Sequence, residues 1–571
     1  MDALASEIAA QISKLTGLQP AEVAALFRTP PSPDLGDVSF PCFMLSKKQK
    51  RKPDEIAKNL AAALKPGGLV AKIAAAGPYV NFFRDRAAFA KSVLDEVKSR
   101  GEKYGAGDSG RGKNVVIDYS SPNIAKPFHV GHLRSTIIGA ALKRIFQSQG
   151  FRVVGVNHLG DWGTQFGAMI SAYKRWGGAE TFAGSEDEII ARCFELYVRF
   201  HAEEEQNPAL TAEKQEFFRR LEDGDAEMRE LWKKFRDVSL AEFRRIYRRL
   251  GVTFESWDGE AAYNDKLDAA VAEVEKSGVL SDGERGAKIV DLKDAAIDVP
   301  AMVLKADGAT TYLTRDVAAA LDRWQKYQFA KNIYVVGAPQ ALHFAQLFAT
   351  LKKMGRNWAD SCVHVPFGHV LGMKTRAGNI VFLDEILEES VAKARKIITE
   401  KNPDLENRDA VAEAVGVGAI VVADLSRHRI KDYTFRWDEV LSFDGETGPY
   451  LQYALVRAHG ILRTFAERRS GAPLPDKFDA VLLSTPEECD IIDLIAEYPE
   501  TLRRAADEYE PALVTQYLFR LAGAFHNFHV LHRVVSDDAA LTAARIRLAD
   551  AVRQTLTNGF GIIGLAPLER M

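Results

Sequence analysis

The stretch NVVIDYSSPNIAKPFHVGHLRSTIIGAALKRIF, followed by GFRVVGVNHLG, leaves this chain few folds to choose from. NVVIDYS is apolar, β-branched and of strand length. TIIGAALKRIF carries its apolar residues at helical spacing, and GFRVVGVNHLG returns to strand character. Two strands joined through a helix over so short a span form a parallel pair, because the crossover lets both run in one direction. Parallel sheets need helices on both faces, so the expected class is α/β with a Rossmann-like, doubly wound sheet.

Two imidazoles, His129 and His132, flank Val130 and Gly131 where the first strand gives way to the helix. In such sheets ligands bind beyond the carboxyl ends of the strands, where the strand order reverses. A helix N-terminus there offers free N–H groups and positive partial charge, which suits phosphate. Imidazoles add donors, and Gly131 lets a flat base or a ribose approach the backbone. A bare H-x-x-H is more often a helix cap. As a metal pair it lacks an acid or cysteine partner at ligand spacing.

A chain of 571 residues is too long for one ordinary domain. Residues 1–110 alternate helical patterns with short β-like runs and end in the linker-like GEKYGAGDSGRGK, so a small α+β N-terminal domain is expected. A sheet domain follows over 111–385, interrupted at about 170–285 by long charged helices. Strand signals return in KIVDL, AMVLKA, NIYVVGA and CVHVPFGHV. Residues 386–571 read as a C-terminal α-helical bundle. A formal charge of −3 excludes a generally basic nucleic-acid coat, so any polyanion contact must use a local patch. Cys42, Cys193, Cys362 and Cys489 lie far apart with no C-x-x-C pair, as reduced thiols of a cytoplasmic protein would. The run AVGVGAIVVA is too short to span a bilayer and reads as a buried element; MDALASEIAAQISKL reads as an amphipathic helix, not a signal peptide.

SPNIAKPFHVGHLRST resembles the HIGH signature of class I aminoacyl-tRNA synthetases, in the form carried by arginyl-tRNA synthetases. The resemblance extends through DLGDVSFPCF, GPYVNFF, NHLGDWGTQFG, TYLTRDVAA, LSFDGETGPYLQYALVR and the final GLAPLERM, nearly the whole chain. The place of the family's second signature, KMSKS, is taken by GMKTRAGN, where Lys374 and Arg376 are basic and Ala377 replaces the second lysine. The resemblance implies that Lys126 helps to compensate. It further implies activation of arginine by ATP with Mg²⁺ on the phosphates, transfer to tRNA(Arg), and a need for bound tRNA in the activation step. No protein-held metal and no membrane are expected, and a monomer is.

The chemistry implied is in-line attack of a carboxylate on the α-phosphate of ATP, for which the protein positions reactants and stabilises charge. His129, Gly131, His132 and Lys374 are then expected at ATP, with Lys126 and Arg376 assisting. A guanidinium is a planar fork best met by carboxylates and an aromatic face. Tyr312 and Asp316 stand four apart, on one side of a helical turn. The resemblance places them and Asp118 around the guanidinium, with Asn123 and Gln340 at the amino-acid end. On the RNA side it implies Tyr450, Tyr453 and Arg457 in an anticodon-binding bundle, and Asn81 and Phe83 in an N-terminal domain that touches the D-loop corner of tRNA. The blander reading keeps the bundle aromatics in its core. Three alternatives stand: a catalytically inert RNA-binding or regulatory relative; a class I synthetase for another amino acid, such as cysteine, which would want zinc ligands; and a nucleotidylyltransferase, which would hardly need the extra helical modules.

Overall fold

The computed structural model describes residues 3–124, 128, 130–372, 382–471 and 473–571. The fold is the expected α/β sheet with a helical insertion, flanked by a small α+β unit and a helical bundle. In the N-terminal unit, β1 (Val38–Pro41), β2 (Val70–Ala76) and β3 (Tyr79–Arg84) form an antiparallel sheet in the order β1-β3-β2. Leu4, Ile8 and Ile12 of the helix Ala3–Thr16 pack with Phe40 and Phe82 in a core that ends at Phe82. The next helix, Arg86–Arg100, falls within the expected 1–110 unit but does not pack in its core. It instead buries Phe89, Val93 and Val97 in the core shared with the C-terminal bundle, and the Tyr104 hydroxyl donates to the Ile495 carbonyl at 2.8 Å.

The central sheet begins with β4 (Asn114–Asp118) and β5 (Arg152–Val156), joined by the signature helix Val130–Ser148. Four helices then form the insertion: Thr164–Trp176, Glu186–Glu204, Pro208–Glu222 and Ala226–Leu250. The last three start with caps legible in the sequence, from Ser185, Asn207 and Asp225; Ser185 and Glu188 form a box in which each satisfies the other's backbone N–H. KIVDL and AMVLKA do not join the parallel sheet. They supply β7 (Lys288–Val290) and β8 (Ala301–Leu304), and β7 pairs antiparallel with both β8 and β6 (Leu280–Asp282). The parallel sheet is completed by β9 (Lys331–Gly337) and β10 (Cys362–Phe367), in the order β10-β9-β4-β5. One face of the sheet, through Val116, Val154, Tyr334 and Cys362, contributes to a second core, in which Trp324 stacks on Trp358 with ring centres 5.5 Å apart and planes 16° apart.

β11 (Val370–Leu371) pairs in parallel with β12 (Tyr433–Thr434), carrying the chain toward the helical part. AVGVGAIVVA lies in the buried helix Arg408–Leu425. Its Gly416 approaches the helix Leu383–Lys401 so closely that a Cβ would lie 2.7 Å from the Val391 backbone. Gly448, at the start of the helix Gly448–Arg468, meets the Gly418 carbonyl in the same way, at 2.8 Å. The helices Pro486–Asp507, Ala512–Leu531 and Ala539–Ile563 finish the bundle. Among the described residues no helix is long and apolar enough to cross a membrane.

Candidate active site

The chain leaves β4 for β5 on one side and returns as β9 on the other, so the strand order reverses between β4 and β9. The crevice beyond Asp118 and Gly337 is where this topology binds ligands. Directly after β4, Ser120 and Ser121 both hold left-handed backbone, with φ of +72° and +48°. Each such residue costs about 1–3 kcal/mol and persists only where its surroundings dictate it. Here they do. The Ser120 N–H donates to Ser135 Oγ at 2.9 Å, and its hydroxyl shares bonds of 2.7 Å with Thr136 Oγ1 and the Tyr247 hydroxyl. The Ser121 N–H donates to Asn157 Oδ1 at 3.1 Å.

That turn delivers Asn123, whose side chain is exposed while the backbone beside it is bridged to Gly160. A Cβ on Gly160 would fall 2.0 Å from Asn123 Oδ1, so the glycine leaves the amide its room. Gly131 lies in the first turn of the signature helix and is exposed. His132 is half-buried, with its ring centre 5.2 Å from that of Phe128. Lys126, His129, Lys374 and Arg376 lie outside the described residues.

Asp118 already has a guanidinium. Arg323 Nη2 donates to Asp118 Oδ2 at 2.7 Å, Ser121 Oγ donates to Oδ1 at 2.9 Å, and both charged groups are buried. The acids less satisfied by the protein lie nearby. Asp316 is in the second turn of the helix Tyr312–Tyr327, with Oδ2 2.5 Å from His343 Nε2. Glu260 follows the insertion, and among the described residues its closest cationic atom is Arg315 Nη1 at 3.9 Å. Burial pushes the Glu260 carboxyl up to about 7; Arg315 opposes this, while Asp316 and Asp161 add to it. Asp161 is itself fixed by Arg236 and the Ala261 N–H, each at 2.9 Å. Tyr312 is 72% exposed at the helix start, and Gln340 is exposed just before the helix Ala341–Lys353.

Two adjacent carboxylates with few partners among the described residues, with exposed amides and an exposed aromatic ring, suit a small cationic ligand that carries its own polar end. The helical spacing of Tyr312 and Asp316 holds. Glu260, His343 and Arg323 were not found from sequence, since nothing in the spacing of WDGE or ALHF ties them to an acid elsewhere.

The comparisons with known proteins settle the family. The model described as "tRNA synthetases class I (R), catalytic domain" matches residues 94–437, "Arginyl tRNA synthetase N terminal domain" matches 2–84 and "DALR anticodon binding domain" matches 451–571. An arginine–tRNA ligase of Clostridium botulinum is 44% identical over 569 residues, covering 99% of each chain, and one of Halothermothrix orenii is 42% identical over 562 residues. The chain belongs to the class I arginyl-tRNA synthetases. The solved arginyl-tRNA synthetase of Thermus thermophilus superposes over 100% of both chains with a TM-score of 0.80 at 26% identity.

Elsewhere in this synthetase, Tyr453 is 43% exposed and lies under Arg457, whose guanidinium is 4.8 Å from the ring centre. Arg457 also donates to the Tyr453 hydroxyl at 3.1 Å and lies 2.8 Å from His526 Nδ1. Tyr450 is half-buried, and Phe525 and Phe528 are wholly buried in the bundle. In the N-terminal unit Asn81 is buried and its Oδ1 accepts from Ser39 Oγ at 2.7 Å, while Phe83 is half-buried beneath Lys72.

Proposed function

We propose that the chain is an arginine–tRNA ligase, which joins arginine to the 3′ end of tRNA(Arg) in the cytoplasm through an arginyl-adenylate. The observation that carries the reading is identity of 44% with an arginine–tRNA ligase across 569 residues. The paired acids at the sheet's reversal point agree with it.

Asp316 and Glu260 hold the two sides of the substrate guanidinium, and Tyr312 covers its face. Asn123 and Gln340 orient the amino and carboxylate groups. Asp118, engaged by Arg323, holds the turn that presents Asn123 and does not touch the ligand. The arginine carboxylate then attacks the α-phosphorus of ATP in line, an O–P bond forms and pyrophosphate leaves. A ribose hydroxyl at the tRNA end next attacks the activated carbonyl, and AMP leaves. His129 and His132, with Gly131 and the positive end of the signature helix, take the phosphates. Lys126, Lys374 and Arg376 add charge to the departing pyrophosphate. The donors at this helix end are neutral or cationic and suit phosphate oxygens, so Mg²⁺ accompanies ATP and neutralises its phosphate charge. Tyr450, Tyr453 and Arg457 face the anticodon side of the tRNA. Phe83 belongs to the D-loop side, with Asn81 supporting it from within.

The test is charging of tRNA with ATP and each amino acid in turn. Arginine alone is expected to be attached efficiently; equal charging with lysine, cysteine or glutamine overturns the assignment.

A further inference from the structure

We infer that His343 is a positioning residue for arginine recognition, holding one carboxylate oxygen of Asp316 so that the other faces the guanidinium. The inference rests on the reading of Asp316 and Glu260 as the arginine clasp.

An aspartate near a helix start can turn freely about its two side-chain bonds, and a guanidinium fork rewards only an acceptor held in its plane. His343 removes that freedom. Its Nε2 lies 2.5 Å from Asp316 Oδ2, although the two residues belong to different helices. A carboxylate has about four lone-pair sites, so one N–H donor leaves the rest of Asp316 available to a ligand. A lysine or arginine in this place would hold the oxygen equally well but would set a fixed positive charge against the incoming cation. An imidazole can donate through one N–H without bringing a fixed positive charge.

The histidine is itself held in place. Its ring packs edge-on against Phe344 with centres 5.3 Å apart. Phe344 is buried, stacked on His364 of β10 at 4.6 Å and against Tyr334 of β9 at 5.0 Å. The orientation of Asp316 is thereby referred to the central sheet, through side chains that stand clear of the ligand. The geometry also distinguishes the two acids: Asp316 is oriented by a hydrogen bond, whereas among the described residues the nearest cation to Glu260 is 3.9 Å away.

The experiment is arginine-dependent ATP–pyrophosphate exchange at saturating tRNA, with His343→Ala, His343→Gln, His343→Asn, Asp316→Asn and the double variant Asp316→Asn/His343→Ala. Losing a hydrogen bond to a charged group should raise the arginine KM about tenfold or more in His343→Ala. The ATP KM and kcat should stay within about twofold, as expected of a contact to one substrate only. Glutamine places an amide N–H near the position of Nε2 and should recover most of the loss; asparagine is one carbon too short and should not. That contrast decides the matter even if the alanine variant fails to fold. In the Asp316→Asn background, removing His343 should change the arginine KM by less than about twofold. An unchanged arginine KM in His343→Ala, or an equal loss with and without Asp316, overturns the inference and leaves the clasp standing. A normal arginine KM in Asp316→Asn overturns the clasp and the inference with it.

Discussion

Arg323 donates to Asp118 over 2.7 Å in a place where both are buried, so the protein carries an internal arginine–carboxylate pair beneath its candidate arginine site. The pair joins the helix that bears Asp316 to the end of β4. It holds Asp118 in place and passes through Ser121 into the strained turn before Asn123.

Removing the cation alone should therefore be costly. Arg323→Met leaves a buried carboxylate without its partner and is expected to lose about 3–5 kcal/mol of stability. Adding Asp118→Asn removes the orphaned charge and should restore part of it. Urea unfolding followed by circular dichroism checks both; an Arg323→Met midpoint equal to the parent's would show that the pair contributes nothing.

Glu260 sets a pH dependence whose sign is fixed. Its carboxyl is pushed, chiefly by burial, from an ordinary value near 4.5 up to about 7. Between those values the folded state binds more protons than the unfolded one, so this group favours folding at low pH. Its contribution falls by about 3 kcal/mol as pH rises through the window. Arginine reverses the preference, because a guanidinium favours the charged carboxylate. Arginine affinity should rise with pH up to about 7 and then level, with proton release on binding below that point. Calorimetric titrations in buffers of different ionisation enthalpy measure the proton directly; Glu260→Gln should bind arginine more weakly and abolish the release. Release unaltered in that variant would move the proton to another group.

His132→Ala should slow adenylate formation by the equivalent of about 2–4 kcal/mol, as for other preorganised donors at a developing charge. Its affinity for tRNA should stay close to normal. Exchange at the parent's rate would reduce His132 to a packing partner of Phe128.

Tyr453 offers an exposed ring held by Arg457, the arrangement on which an unpaired base stacks. Tyr453→Ala should weaken tRNA binding by about 1–3 kcal/mol. At saturating tRNA the arginine KM should not change. Because the family resemblance implies that activation needs bound tRNA, exchange at limiting tRNA should fall in step with charging. Rapid exchange without any RNA would break that link.

The chain announces some of this and conceals the rest for physical reasons. Alternating apolar runs and helical spacing around residues 114–156 reveal β4, the signature helix and β5, because neighbours in sequence build them. Tyr312 and Asp316 are legible for the same reason. Arg323 and Asp118 are 205 residues apart, and only the completed sheet brings them together. His343 and Asp316, 27 apart, meet only when their two helices pack against each other. Asn81 looks like a solvent-facing reader within GPYVNFF. Its strand is the middle one of the small sheet, where Val80, Asn81 and Phe82 are all buried, so its alternation carries no information about the surface.

Trp324 follows Arg323 on the helix that carries Asp316, and its indole lies parallel to that of Trp358 at 5.5 Å. Two indoles so close share their electronic excitation, and the resulting split band in near-ultraviolet circular dichroism varies with their separation and angle. The enzyme thus contains an optical gauge of the helix that carries Asp316. A shift of that helix against the second core when arginine or tRNA arrives can be followed in solution, without adding a dye.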